Sequence, residues 1–544
     1  MTNDLDQANQ QKSVKRNLNK AVHDSLKELK NTVKAFVKAP RALWGVNIPF
    51  IIEGLVYFGI LNILGIYCSV NVDLSDLHAG WVYSGVTGGI TFAMLLLGGV
   101  SDKIGVRRSL ILALSVMMIG RIFVALSGTI PLGQGLGSPM FFVLIFGLLL
   151  MVTAYGLYQP AAYAGVKRYT TPKNAAMGYA VIYGLMNLGA FLSGFISPFT
   201  RHAFESVFPP NGLPAVFWVY TFLTLVAVLS SAFILTKRTD TKAVERVKRE
   251  KDAMRAAGED VEDDSEDDNG YHPKIDNRLL LTITGLFLIF GSAFLWRIFN
   301  TSGTFRFSDH PITNLLFSII LSVLFLAGIG EYLRKRPDHP FRDTRFTFFI
   351  FILIPVQTLF AHQWLTMPYY LERAFHGSVV SEYFEFFNNL NPILIFFLAP
   401  FVAGITARAN VYKMMILGTF VMALPTFLLA IGPHASLFLT YILLMTTGEA
   451  IWQPRFLQWI AEIAPKGKTG AYMGIGQLPW FLTKVVTGFY SGYFVSKYIP
   501  EPSTGLDTNS GEMWLIYAFI AITSPIALVL AKKWMQKGMR TKAS

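Results

Sequence analysis

A single cysteine, Cys68, excludes an intrachain disulfide and any site built from several cysteine ligands. Histidine is scarce as well: one of the nine, His362, falls inside an apolar stretch, and none are grouped at metal-ligand spacing. There is no nucleophile, base and acid set and no phosphate-binding glycine loop at a strand-helix junction, so an enzyme is not expected. Charged residues make up 15% of the chain, too few to clothe a soluble protein of 544 residues. Residues 1–46 are polar and Lys-rich rather than a secretory signal, so the first apolar stretch is expected to act as the targeting signal.

What the chain has instead is hydrophobic residue, 53% of the total, packaged in runs of about 20 residues, the length a helix needs to cross ~30 Å of hydrocarbon. The runs predict spans at 47–69, 79–100, 107–128, 138–164, 175–197 and 213–236, then 277–299 and 311–333. Six more follow at 345–371, 384–407, 411–432, 435–461, 469–496 and 512–535, giving an all-α polytopic membrane protein with 14 transmembrane helices. The net charge of +13 does not point to nucleic acid, because Lys and Arg gather in alternate loops such as "SDKIGVRR", "VKRYTTPK" and "RKRPDHPFRDTR". That bias places both termini in the cytoplasm.

The expected organisation is a cytoplasmic amphipathic segment (1–46), a six-helix bundle (47–236), a charged cytoplasmic linker (237–276), two inserted helices (277–342), a second six-helix bundle (343–536) and a tail (537–544). Within the first segment, Val14, Leu18, Val22, Leu26, Leu29, Val33 and Phe36 recur at helical spacing between lysines, as in a helix lying on an anionic leaflet. The linker passes from basic to strongly acidic with almost no large apolar residue, a composition that favours disorder in its acidic run.

The two bundles carry an internal repeat. "GLYQP" (156–160) and "AIWQP" (450–454) each put an aromatic, Gln and Pro inside the fourth span of their block, followed by Pro-Lys, Met-Gly and a Gly-rich span. Duplicated bundles with a midplane site between them are the plan of an alternating-access transporter.

The loop "GGVSDKIGVRRSL" resembles the Gly-x-x-x-Asp-Arg/Lys-x-Gly-x-Arg signature of the major facilitator superfamily, with Asp102, Arg107 and Arg108 in its polar positions. Within it, "NNLNPILIFFLAPFVAGI", "GEAIWQPRFLQWIAEIAPKGKTGAYMG" and "VIYGLMNLGAFLSGFI" are similar to spans eight, ten and five of the proton-dependent oligopeptide transporters. The two extra spans match prokaryotic members of that family, which implies a bacterial inner membrane. The chain departs from the family in having Phe50 and Gly54 where the first span carries an acid and an arginine, Gln159 for a lysine in span four, and Ala361 and His362 in span seven.

The resemblance implies a monomeric, proton-coupled importer of short peptides or peptide-like compounds, with no cofactor beyond the proton gradient. The missing basic groups leave open a non-peptide solute, a metal chelate or export, and from another class a non-transporting sensor or scaffold. Ionisable residues in hydrocarbon are expensive and mark function. Glu53, Glu449 and His362 are therefore the candidates for proton coupling, with Glu53 alternatively half of an inner gate. Tyr57, Gln159, Tyr183, Asn187, Asn391, Trp452, Gln453, Trp480 and Lys484 are the candidates for lining a wet cavity, Lys484 opposite Glu53 or Glu449 as a substitute cation. Pro454 is expected to kink its helix and Arg455 to serve near the inner mouth; Arg121 needs a partner that the sequence does not name.

Overall fold

The computed structural model describes residues 40–97, 104–170, 172–256, 310–337, 339–406, 409–463, 478–502 and 508–540, with isolated helical positions between these stretches. The described residues contain no strand. Ten of their helices are long and apolar enough to cross a membrane. The expected seventh span, 277–299, the N-terminal segment 1–39 and the acidic run of the linker lie outside the described residues, apart from isolated positions of that span.

The main helices are α1 (Arg41–Ile66), α2 (Asp76–Leu97), α3 (Val106–Ser127), α4 (Pro139–Tyr169), α5 (Pro172–Phe204), α6 (Leu213–Ile234) and α7 (Lys237–Ala256). They continue with α8 (Pro311–Arg334), α9 (Thr344–Ile352), α10 (Ile354–Leu365), α11 (Phe384–Asn388), α12 (Leu390–Thr406), α13 (Val411–Ala423), α14 (Ala435–Ile463), α15 (Leu478–Tyr498) and α16 (Ser510–Arg540). Local chemistry explains several starts. Ser138 accepts from the Phe141 amide at 3.1 Å with Pro139 as the first helical residue of α4, and Asn410 accepts from the Lys413 amide at 3.0 Å ahead of α13. Inside the spans, Thr87, Thr221, Thr224, Thr419 and Thr446 return their hydroxyl protons to the carbonyl four residues back, which satisfies them without water.

The chain divides into two compact units. The first holds the described parts of Met1–Glu262, Ile354–Phe456 and Trp480–Val529. Its N-terminal half packs α3 on α4 and α6, α1 on α5 and α6, and α2 on α4; α5 also packs on α11 and α12 of its C-terminal half. The internal repeat reappears as a shared helix contact. Gly120 of α3 meets Gly147 of α4 so closely that a Cβ on either would stand 2.7 or 2.6 Å from the opposite carbonyl oxygen. Gly418 of α13 and Gly448 of α14 do the same at 2.9 and 2.7 Å. Small residues let backbones approach where lipid supplies no hydrophobic drive for helix association. Pro160 and Pro454 likewise fall inside α4 and α14.

The second unit holds the described parts of Asp263–Leu353, Leu457–Pro479 and Leu530–Ser544. Its α8 is inside-out: Asn314, Ser318 and Ser322 form the buried stripe, while Ile312, Leu316 and Leu324 are exposed. Apolar residues facing outward are stable against acyl chains, not water. Elsewhere in this unit Phe349 lies on Trp459 with ring centroids 3.7 Å apart, and Phe346 on Tyr472 at 4.7 Å.

Candidate functional site

Three polar assemblies occupy the first unit. In its N-terminal half, Arg121 of α3 grips Glu53 of α1 with two bonds of 2.7 Å, both side chains at most 2% exposed. Tyr155 of α4 donates to Glu53 Oε2 at 2.9 Å and accepts from Arg121 Nη2 at 2.9 Å, while Arg121 Nη1 also donates to Thr224 of α6. Four helices of one half are thereby tied to one ion pair whose carboxylate oxygens are both occupied, which repays part of the cost of burying two charges.

In the C-terminal half the buried acid is Glu449 of α14. Asn391 of α12 donates to its Oε2 at 2.8 Å and to Thr446 Oγ1 at 2.9 Å. Its hydrogen-bond partner is thus a neutral amide rather than a cation. Tyr183 of α5, in the other half, lies within electrostatic reach of Glu449; the tyrosine is 45% exposed and the acid 5%. On α10 and α15, Thr483 donates to Gln357 Oε1 at 3.4 Å and Trp480 lies 5.0 Å from Phe360. Lys484 of α15 is half-buried and has no described hydrogen-bond or ion-pair partner. One turn further, Gly488 sits so tightly against α2 that a Cβ there would collide with Ser84.

The third assembly joins the halves at the end of the unit distal to the start of α1. Arg373, in the π turn after α10, donates to Asp76 at the amino end of α2 with bonds of 2.8 and 3.0 Å, and to Glu501 at 3.3 Å. Asp76 in turn accepts from Ser69 at 2.8 Å, and Ser69 bonds Tyr369 at 3.0 Å. Arg201, at the end of α5, donates to the fully buried Glu385 of α11 at 2.9 Å and to the Glu382 carbonyl at 2.8 Å. Beside these pairs runs a neutral ladder: Gln363 donates to Asn388 Oδ1 at 2.9 Å, Asn388 to Asn62 Oδ1 at 2.5 Å, and Asn62 to the Glu385 carbonyl at 3.5 Å. Beside Arg373, burial pushes the Glu372 carboxyl above its ordinary range against the opposing pull of Arg373 and Arg201.

The family model for the Major Facilitator Superfamily matches residues 46–371, more than half of the chain. The chain belongs to the Major Facilitator Superfamily. It is a multi-pass membrane protein of a transporter family, not an enzyme. Among solved structures, a peptide transporter POT in complex with sulfate is 17% identical, with a TM-score of 0.62 over 92% of this chain and 96% of that one. A POT family transporter in complex with 5-aminolevulinic acid is 15% identical, with a TM-score of 0.59 over 91% and 97% of the two chains. Another, in complex with a thioalcohol-conjugated peptide, is 15% identical, with a TM-score of 0.61 over 92% and 98%. The fold is therefore theirs. No protein in a curated set matches by sequence.

The structure of this superfamily member changes several expectations. Glu53 is not paired with Lys484; Arg121, 68 residues away, holds it within one half. Trp452 is not part of a wet surface: it is fully buried, donates to Met422 Sδ at 3.1 Å and packs where Gly418 leaves room, because the close approach of α13 and α14 closes over it. His362 is buried too, stacked on Tyr517 with centroids 3.7 Å apart, its Nδ1 bonded to Thr366 at 2.8 Å and its Nε2 to Tyr490 at 2.9 Å. Arg455 donates to the carbonyl and hydroxyl of Thr406 at 2.5 and 2.9 Å. Arg107 donates to the Leu235 carbonyl at 2.7 Å, joining α3 to the end of α6, and Arg108 is exposed.

Of the rest, Tyr57 is half-buried with its ring 5.1 Å from Tyr155, and Asn187 donates to the Tyr183 carbonyl at 3.0 Å. Gln159, Gln453 and Trp480 are half-buried, while Pro454 is exposed on a helix that continues past it. Asp102 lies outside the described residues. Asp76, Arg201, Arg373 and Glu385 were not among the expected site residues. Their signal was available: Arg201 and Arg373 are basic residues at span ends where the loop-charge bias disfavours them.

Proposed function

We propose that the protein is a proton-coupled importer of short peptides or peptide-like compounds, working by alternating access in a bacterial inner membrane with both termini cytoplasmic. The observation that carries this reading is the position of Glu449: a buried acid of one half, bonded by a neutral amide of its own half, with Tyr183 of the other half within electrostatic reach. When the halves rock, the surroundings of that carboxyl change, so its proton affinity differs between states, and a ligand shifts an equilibrium only through such a difference. The Glu53 pair stays with its half and does not make that exchange. Lys484 supplies the positive charge for an anionic end of the cargo that Gly54 and Gln159 do not. In proteoliposomes with an interior-alkaline pH gradient, uptake of di- or tripeptides is the expected result; flux of another solute without peptide uptake would leave the carrier and remove the cargo, and no flux of any kind would favour a sensor.

The distal assembly is read as the closed outer gate, so that this conformation opens to the cytoplasm. Cys68 tests it, being the only cysteine and buried in the π turn beside Ser69. In Asp76→Asn, Cys68 is expected to react with a membrane-impermeant maleimide at least about 10-fold faster, the shift produced by losing roughly 1.4 kcal/mol of closed-state stabilisation. An unchanged labelling rate would mean that the ion pair does not hold the gate.

A further inference from the structure

At the opposite end of the first unit, a cavity of about 410 Å³ opens between the start of α1 and the first turns of α7, lined by Arg41, Arg238, Lys242 and Arg246. Four cations around one hollow repel one another unless an anion sits among them. Of the acids of α7, Glu250 meets one of the four, and Asp240 and Glu245 do not serve. Asp240 is turned to α4, where it accepts from Arg168 at 3.1 Å and from Tyr169 at 2.9 Å. Glu245 lies 3.9 Å from Arg249, and Glu250 is bonded to Arg246 at 2.7 Å, which leaves Arg41, Arg238 and Lys242 without a described acidic partner. No side chain caps the amino end of α1 at Pro40, whose first residues Arg41 and Ala42 also line the cavity, so the positive end of that helix adds to the field.

The depth of the cavity says what kind of anion reaches it. Arg41 opens the span Arg41–Asn71, and α6 ends at Ile234, two residues before the lining residue Thr236. The hollow therefore lies where hydrocarbon gives way to headgroups. We propose that it is a binding site for a phosphate group, presented by an anionic phospholipid of the adjoining leaflet. The guanidinium groups suit the phosphate oxygens, and basic pockets at the ends of spanning helices select anionic over zwitterionic headgroups through charge. The lipid so held would bridge α1 to α7 and anchor the start of the linker to the first span. This inference does not depend on cargo or on proton coupling.

Native mass spectrometry of the full-length protein, released from detergent containing phosphatidylglycerol or phosphatidylcholine, is the test. The expected result is retained phosphatidylglycerol but not phosphatidylcholine, with apparent affinity falling on the order of 100-fold in Arg41→Gln/Arg238→Gln/Lys242→Gln. The comparison variant Lys248→Gln/Arg249→Gln/Lys251→Gln removes as much charge from the same helix away from the cavity and is expected to bind as the parent does. The three replaced cations are exposed, so their replacement leaves the packing intact. Millimolar inorganic phosphate separates the sources: failure to displace the lipid supports a headgroup site, whereas displacement makes free phosphate the occupant and overturns the lipid assignment. Equal losses in the two triple variants, or equal retention of the two lipids, would overturn the site itself.

Discussion

Arg121→Leu is expected to lower the stability of the folded protein by about 3–5 kcal/mol, the cost of leaving a buried charge without its partner. The carboxylate of Glu53 would keep only the Tyr155 hydroxyl, inside a half where the pair is at most 2% exposed. Glu53→Leu/Arg121→Leu is expected to recover much of that loss, because two apolar side chains of similar volume carry no desolvation penalty. Thermal unfolding of the parent, both single variants and the double variant in one detergent gives the coupling directly. Additive losses would show that the pair contributes no coupling, and the account of the N-terminal half as one ion-pair-clamped block would fall.

Glu449→Gln is expected to abolish accumulation while leaving exchange. A gradient of one pH unit is worth about 1.4 kcal/mol per proton, so one coupled proton supports roughly tenfold accumulation of a neutral cargo. With glutamine at 449 the Asn391 bond can survive with the amide turned, but no proton is bound and released. Uptake down a cargo gradient and counterflow are expected to continue, and the steady-state ratio to fall to unity. If Glu449→Gln still concentrates cargo in response to pH, the coupling acid is elsewhere, and His362, whose two ring nitrogens are both engaged, is the next residue to test.

Much of the architecture was legible because hydrocarbon imposes simple rules. Span positions followed from run length alone, and the helices Arg41–Ile66, Val106–Ser127, Leu213–Ile234 and Pro311–Arg334 begin and end within a few residues of the expected stretches except at the start of the first. Glu449 was legible because an acid in such a run is costly. Pairing was not. Arg121 and Glu53 are each conspicuous, but which faces of α1 and α3 meet is decided by packing in three dimensions, and their 68-residue separation carries no periodic signal. Trp452 was misread for the same reason: an aromatic beside Gln453 looks like cavity lining until the opposing Gly418 brings a backbone over it. The distal ion pairs escaped because Asp76, Arg201 and Arg373 sit just beyond the expected spans, where a charged residue normally means only a solvated loop, and Glu385 stands at the very start of one.

The glycine seams limit how the molecule can change shape. Where one backbone already presses on another at Gly120 and Gly147, and again at Gly418 and Gly448, neither partner can slide or roll without striking a carbonyl. Each of those helix couples must travel as a welded rib. Spin labels placed along either rib should therefore keep constant spacing throughout turnover, and any large excursion should register only between labels on different ribs.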